Sequence, residues 1–297
     1  MARALGKVIL FGEHSVVYGV PAIAAGIQRG AEASAVRAAQ ASLQLGELPA
    51  ACEPESEPGR AFAALLATLS LGEFEVHATT ELPPGCGLGA SASLGVAIAR
   101  AVLEVAASEL PIRETQRLVL EAADAWERVF HDNPSGIDAA AATGGGCFRY
   151  TRALGPQPLQ LAKPFTLAIA IAGAPAPTAE MVRGVARLKE RRPELVAKTL
   201  EGIASIVSNA EICLKFGDLF GLGKLMDFNQ MLLAGLFVST PEIEDACQVA
   251  RSAGALGAKL TGAGGGGAVI ALTEGDPNAV LDAWKHQGFE AFFTTIG

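Results

Sequence analysis

The sequence has no concentrated basic stretch: its 297 residues carry 23 Lys and Arg against 31 Asp and Glu, a formal charge of −8. That balance excludes a nucleic-acid surface, because gripping a phosphate backbone needs a dense cationic stripe. An anionic ligand would therefore be held by local features such as a helix end, one lysine or a metal. The five cysteines (Cys52, Cys86, Cys147, Cys213, Cys247) form no CxxC pair. Their odd number and scatter exclude a disulfide framework and a zinc site, and they fit a reducing, cytoplasmic setting. Membrane-spanning runs are missing too. The apolar stretch from Phe165 to Ala174 is too short to cross a bilayer and reads as a buried strand. The apolar start of the chain is broken by Lys7, Gly12 and Glu13 too soon for a signal peptide. Internal repeats are also absent.

What is present is an ordinary globular composition, 50% apolar and 18% charged, on a chain long enough for two cores. Prolines and a glycine between Gly155 and Pro164 suggest a boundary, giving domains 1–158 and 159–297. Val8 to Phe11 reads as a strand, and Phe74, Val76 and Ala78 alternate as a half-buried strand should. Leu94, Ile98, Val102 and Val105 recur at helical spacing, as do Leu118, Ala122, Ala125 and Val129 in a helix expected over 113–130. The alanine-rich, then acidic tract from Ala31 to Arg60 has no clear period. In the second half, a strand over 166–171 precedes helices at about 179–191, 194–216, 219–237 and 241–254, the last with Thr240 as N-cap and Pro241 at its first position. A strand over 268–272, a helix opened by Asp276 and Pro277 and a strand over 290–296 complete an α+β chain without regular βαβ alternation.

The most informative segment is Leu82 to Ser93, a glycine-hinged loop (Pro84, Gly85, Cys86, Gly87, Leu88, Gly89) that opens into a helix at Ala90, Ser91 and Ala92. Glycines permit positive φ and let successive N–H groups surround an anion, and the helix adds its positive end, so polyphosphate is the natural guest. The loop lacks the Lys-Ser/Thr ending of a P-loop. A helix N-terminus so close to Cys86 would favour its thiolate.

Four segments together, Gly6 to His14, Pro83 to Ser93, Glu127 to Asp138 and Lys259 to Gly267, resemble the GHMP kinase superfamily, and within it the mevalonate kinases. The resemblance covers most of the chain with the motifs in the family's order. Three positions depart from the pattern: Leu5 stands for a proline, Ala90 for the first serine of a pair, and Pro177-Thr178-Ala179 for Ser-Thr-Lys. The implied fold is a ribosomal-protein-S5-like N-terminal domain and a ferredoxin-like C-terminal domain with the active site in the cleft between them. The implied activity is ATP-dependent phosphorylation of the 5-hydroxyl of mevalonate. Rival readings are another GHMP-type kinase acting on phosphomevalonate, homoserine or a sugar, and a ligand sensor without turnover.

The resemblance also implies roles. Mg²⁺ prefers hard oxygen ligands, for which Ser91 and Glu127 are candidates. Glu127 lies about half a turn from the expected apolar stripe and would face away from it. Asp138 would take the alcohol's proton or only orient the hydroxyl, and Lys7 would steady the γ-phosphate. Glu13, His14 and Thr178 resemble substrate-side residues, with His14 able to donate to a carboxylate or hydroxyl. Gly262, Gly264 and Gly265 would press backbone against the ATP phosphates. No nucleic acid or membrane is expected as a partner. The apolar helical positions of the second half fit a homodimer interface and simple burial equally well.

Overall fold

The computed structural model describes residues 1–46, 51–131 and 134–297. Asp132 and Asn133, within the segment Glu127 to Asp138, lie outside the described residues. By contacts the chain forms two compact units that interleave along the sequence. One contains Met1–Gly6, Gln28–Pro84 and Gly89–Gly145, and the other Lys7–Ile27, Gly85–Leu88 and Gly146–Gly297.

The first unit is built on residues 28–37 of β2 (Ala22–Arg37), β3 (Ser42–Leu45) and β4 (Phe74–Thr80). Residues 31–37 of β2 pair antiparallel with β4, from Ala31 opposite Thr80 to Arg37 opposite Phe74, and β3 runs parallel to β4. The alternation read in β4 is real, with Phe74, Val76 and Ala78 buried. Helices α1 (Glu57–Leu69), α2 (Ala90–Ala106), α3 (Ile112–Phe130) and α4 (Ile137–Gly144) belong to this unit. Their inward faces share one core with the sheet, in which Phe62, Leu65, Val96, Ile98, Val102 and Trp126 are fully or almost fully buried.

Helix α1 begins inside the tract in which no period was legible. Ser56 caps it, accepting from Gly59 N at 3.2 Å, and Pro58 sits in its first turn where the missing N–H costs nothing. Alanines also conceal β2, whose first residues are buried on both faces and therefore do not alternate.

The second unit carries β7 (Phe165–Ile171), β8 (Gly257–Leu260), β9 (Ala268–Thr273) and β10 (Glu290–Ile296) in the order β10-β7-β9-β8, all antiparallel. Taken by chain position this order is fourth, first, third, second, with helices between the first and second strands and between the third and fourth. That is the split βαβ arrangement of a ferredoxin-like domain. The intervening helices are α5 (Thr178–Arg191), α6 (Pro193–Phe216), α7 (Leu219–Gly235), α8 (Pro241–Ser252) and α9 (Asn278–His286). Thr240 does cap α8, accepting from Ile243 N at 3.4 Å. Helix α7 stops two residues before its expected end, and Phe237 beyond it holds a left-handed φ of 60°. Residues 7–11 of β1 (Ala2–Phe11), a short 3₁₀ turn (Ser15–Tyr18), residues 22–27 of β2, and β5 (Cys147–Thr151) with β6 (Gly155–Pro158) complete the unit. No helix among the described residues is long and apolar enough to cross a membrane.

Candidate active site

The glycine loop has the conformation its composition demands. Gly85, Gly87 and Gly89 take φ of 76°, 77° and 78°, each in the left-handed region where a side chain would be strained. The loop then turns into α2 at Ala90, whose first turn contains Ser91 and Ala92. Pro84 and Gly85 are exposed, Gly87, Gly89, Ala90 and Ser91 are half-buried, and Cys86, Leu88 and Ala92 are buried.

Within the first unit, Ser91 Oγ donates to Glu127 Oε1 at 2.5 Å, and Trp126 Nε1 donates to Ser91 Oγ at 3.2 Å. The two hard oxygens expected to meet a divalent ion are therefore in contact, and an indole N–H fixes the hydroxyl between them. A hydroxyl beside a carboxylate fits Mg²⁺, which takes one or two protein oxygens and completes its shell with water and phosphate. Glu127 is only 5% exposed. The buried face of α3 runs through Val119, Ala122, Ala123 and Trp126, about one residue round from the expected stripe, so Glu127 lies at its edge and does not face away from the packing. Trp126 causes the shift; its bulk fills the space beside Gly95, where a Cβ would come within 2.8 Å of the indole. Asp138 is half-buried on the first turn of α4, behind Gly136 at φ 80°.

In the second unit, three motifs close on one another. Lys7 is 5% exposed on β1 and donates its backbone N–H to Leu88 O at 2.8 Å. Cys86 O accepts from Ala268 N at 3.0 Å, and a Cβ on Gly262 would lie 3.0 Å from Gly87 Cα. The third glycine segment thus lies directly against the phosphate loop. Gly264 packs on the backbone of Val238, where a Cβ would come within 2.1 Å of the carbonyl oxygen. Gly265 N donates to the same oxygen at 2.8 Å, so this N–H is committed inside the protein.

Glu13 and His14 follow β1. The Glu13 carboxylate is fully buried against the Lys259 ammonium and also accepts from Asn229 Nδ2 at 3.3 Å. Burial pushes the carboxyl up from its ordinary value, against the pull of Lys259 and, more weakly, Lys7. Burial likewise pushes Lys259 down, against Glu13. His14 is 6% exposed with φ of 59°, and its Nε2 lies 2.8 Å from Ala263 O. A carbonyl oxygen only accepts, so Nε2 carries the proton. Burial pushes the His14 pKa below its ordinary 6.5, which keeps the ring neutral and leaves the lone pair on Nδ1. Expected as a donor to a carboxylate or hydroxyl, His14 here directs its Nε2–H to Ala263 O. Thr178 is exposed at the first position of α5.

The thiolate expected at Cys86 is also corrected. Its side chain is 4% exposed, and burial together with the negative charge of Glu290 pushes the thiol up. Trp126, Asn229, Lys259 and Thr261 were not singled out from the sequence as site residues. Only Lys259 and Thr261 carried a signal, by standing inside the third motif; Trp126 and Asn229 sit at helix positions that composition does not mark.

Residues 58–146 match the family described as GHMP kinases N terminal domain, and residues 208–290 match GHMP kinases C terminal. The mevalonate kinase of Pyrococcus horikoshii is 35% identical over 100% of this chain and 95% of its own length. The chain belongs to the GHMP kinase family. Among solved structures, L. major mevalonate kinase in complex with R-mevalonate superposes with a TM-score of 0.87 at 32% identity, covering 98% of this chain and 94% of that one. The Methanococcus jannaschii mevalonate kinase does so with a TM-score of 0.82 at 25% identity, covering 100% and 98%. This GHMP kinase is thus a phosphotransferase acting on an alcohol, and the two-domain α+β architecture expected from its motifs is the family's.

Proposed function

We propose that this kinase transfers the γ-phosphate of ATP to the 5-hydroxyl of mevalonate, giving 5-phosphomevalonate for isoprenoid precursor synthesis. The observation that carries the chemistry is the Ser91–Glu127 contact at 2.5 Å, a hydroxyl and a carboxylate at the head of the helix that follows the glycine loop. The choice of alcohol rests on full-length likeness to mevalonate kinases.

The backbone N–H groups of Gly85 to Ala92 receive the ATP phosphates, helped by the positive end of α2. Ser91 and Glu127 hold Mg²⁺, which when bound neutralises charge on the phosphate oxygens. Lys7 steadies the γ-phosphate as charge spreads over its oxygens during transfer. Asp138 orients the 5-hydroxyl and receives its proton as the new O–P bond forms and the bond from the γ-phosphorus to ADP breaks. His14 Nδ1 accepts from a hydroxyl of the substrate, and Thr178 contributes a further contact. Gly262 supports the phosphates through its close approach to Gly87, and Gly264 and Gly265 hold the third glycine segment in place against Val238, Ala176 and Met181.

The test is a panel of alcohols and phosphates (mevalonate, phosphomevalonate, homoserine, galactose) with coupled detection of ADP, with and without Mg²⁺. Mevalonate should give by far the highest kcat/KM, and only with the metal. Preference for another acceptor would remove the substrate assignment, and no ADP from any of them would remove the activity.

A further inference from the structure

Lys259 takes no part in the chemistry above, yet it is among the largest fully buried side chains in the molecule. A lysine is seldom placed in an interior unless its charge has a task there. Its Nζ meets Glu13 and also donates to Leu260 O at 2.6 Å. Alternate residues of the third motif grip the first. Lys259 holds Glu13, Thr261 Oγ1 accepts from Ile9 N at 2.8 Å and donates to Ile9 O at 3.1 Å, and Ala263 O receives His14 Nε2.

The turn so gripped is strained. His14 holds φ 59° with ψ −42°, a positive-φ conformation outside the left-handed helical basin, which a residue with a bulky side chain leaves unless its surroundings over-determine it. Two further bonds tighten the turn, from Ser15 N to Glu13 O at 2.6 Å and from Ser15 Oγ to Gly12 O at 3.1 Å. If joining the segments were the whole task, an apolar pair of similar volume would serve as well or better, since a buried ion pair is dear to desolvate. What an ion pair adds is direction: one carboxylate orientation, set from two sides by Lys259 and Asn229.

We propose that Lys259 is a positioning residue: through its charge bridge to Glu13 it fixes the turn that carries His14, and so sets where Nδ1 meets the substrate hydroxyl. This rests on the mevalonate reading for the identity of that hydroxyl, and on geometry alone for the link from Lys259 to His14.

The experiment compares wild type with the double variant Glu13→Gln/Lys259→Met, which removes both buried charges and keeps their volumes. The folded double variant should show KM for mevalonate raised about 10–10²-fold, as a sub-ångström to ångström misplacement does, with KM for ATP unchanged. The imidazole ¹⁵N shifts of His14 should also leave the pure Nε2–H tautomer of the wild type. A folded double variant that keeps either the wild-type KM for mevalonate or the wild-type His14 shifts overturns the proposal. Should the double variant not fold, Glu13→Asp, which withdraws the carboxylate by one methylene, is read in the same two ways with the same expected and overturning results. Were wild type to phosphorylate no alcohol in the panel, the substrate reading would fall while the His14 shifts still decide the role of Lys259.

Discussion

Glu13 and Glu127 are both buried carboxylates in motifs that the sequence marks as functional, 1% and 5% exposed, and the structure builds around them in opposite ways. Glu127 meets a neutral hydroxyl, itself held by an indole N–H. Glu13 meets an ammonium and an amide. Two oxygens side by side make a ligand set for a hard cation; a carboxylate against a lysine already has its cation from the chain. On the proposed reading, the same residue type supplies chemistry in one unit and shape in the other. Burial and motif membership do not separate the two roles. The partner does.

The comparison breaks or sharpens by measuring activity and stability separately. The largest effect should come from Asp138→Asn, with kcat down about 10²–10⁴-fold and ATP binding little changed, because the hydroxyl loses its proton acceptor. Stability should fall by under about 1 kcal/mol, the gain a carboxylate takes from a helix N-terminus, since Asp138 stands on the first turn of α4. Single-turnover kinetics beside thermal unfolding decide it; full activity would take Asp138 out of the mechanism.

Lys259→Met should do the reverse. It strands the Glu13 carboxylate in the interior, so unfolding should become easier by about 3–5 kcal/mol, the cost of breaking a buried pair from one side. Restoring stability by adding Glu13→Gln is the check. A single variant as stable as wild type would mean that the pair is not buried as described.

How far these roles were legible in the sequence follows from the same contrast. The glycine loop, the helix behind it and the third glycine segment could be read because φ > 0 and close backbone approach demand glycine at fixed spacings. The helices of the second half were legible because they carry caps and breaks such as Thr240-Pro241, whereas the edge strand β8 carried no readable alternation and the ferredoxin-like arrangement followed from the resemblance alone. Strand β2 and helix α1 were not, since alanines fit a strand buried on both faces and a helix alike. The stripe Leu118, Ala122, Ala125 and Val129 puts Glu127 on the wrong side of its helix, because Trp126, one residue away, fills more of the core than any of the four. Lys259 looked like any lysine in a motif. Only a contact 246 residues apart in sequence reveals it as an interior charge. The expected division at residue 158 cuts the chain once, whereas contacts assign residues 7–27 and 85–88 to the unit that also holds 146–297. No local pattern announces such an exchange.

Ser91→Ala gives a smaller and more specific effect. Removing one oxygen of the pair should raise the Mg²⁺ concentration for half-maximal rate by about 10–100-fold. The loss of one hydrogen bond should cost only about 1 kcal/mol of stability. A magnesium titration at saturating ATP separates this from a general loss of activity. An unchanged titration midpoint would move the metal away from Ser91, whatever happens to kcat.

The smallest effect is a pH dependence confined to His14. Because burial holds its folded pKa below the ordinary 6.5, the ring stays neutral throughout the neutral range, and KM for mevalonate should be flat from about pH 8 down to 6.5. Below 6.5 the unfolded chain takes up a proton that folded His14 refuses. Unfolding therefore becomes easier as pH falls from 6.5 toward the depressed folded value, and the loss is complete beneath it. Other groups titrate in the same range, so the informative quantity is the difference between wild type and His14→Asn, since asparagine keeps an amide donor and has no proton to gain. Stability measured between about pH 7 and 5 should fall more steeply for wild type than for the variant. Parallel curves would mean that His14 is protonated as readily in the folded chain as in the unfolded one, and the acceptor at Nδ1 would be lost with that result.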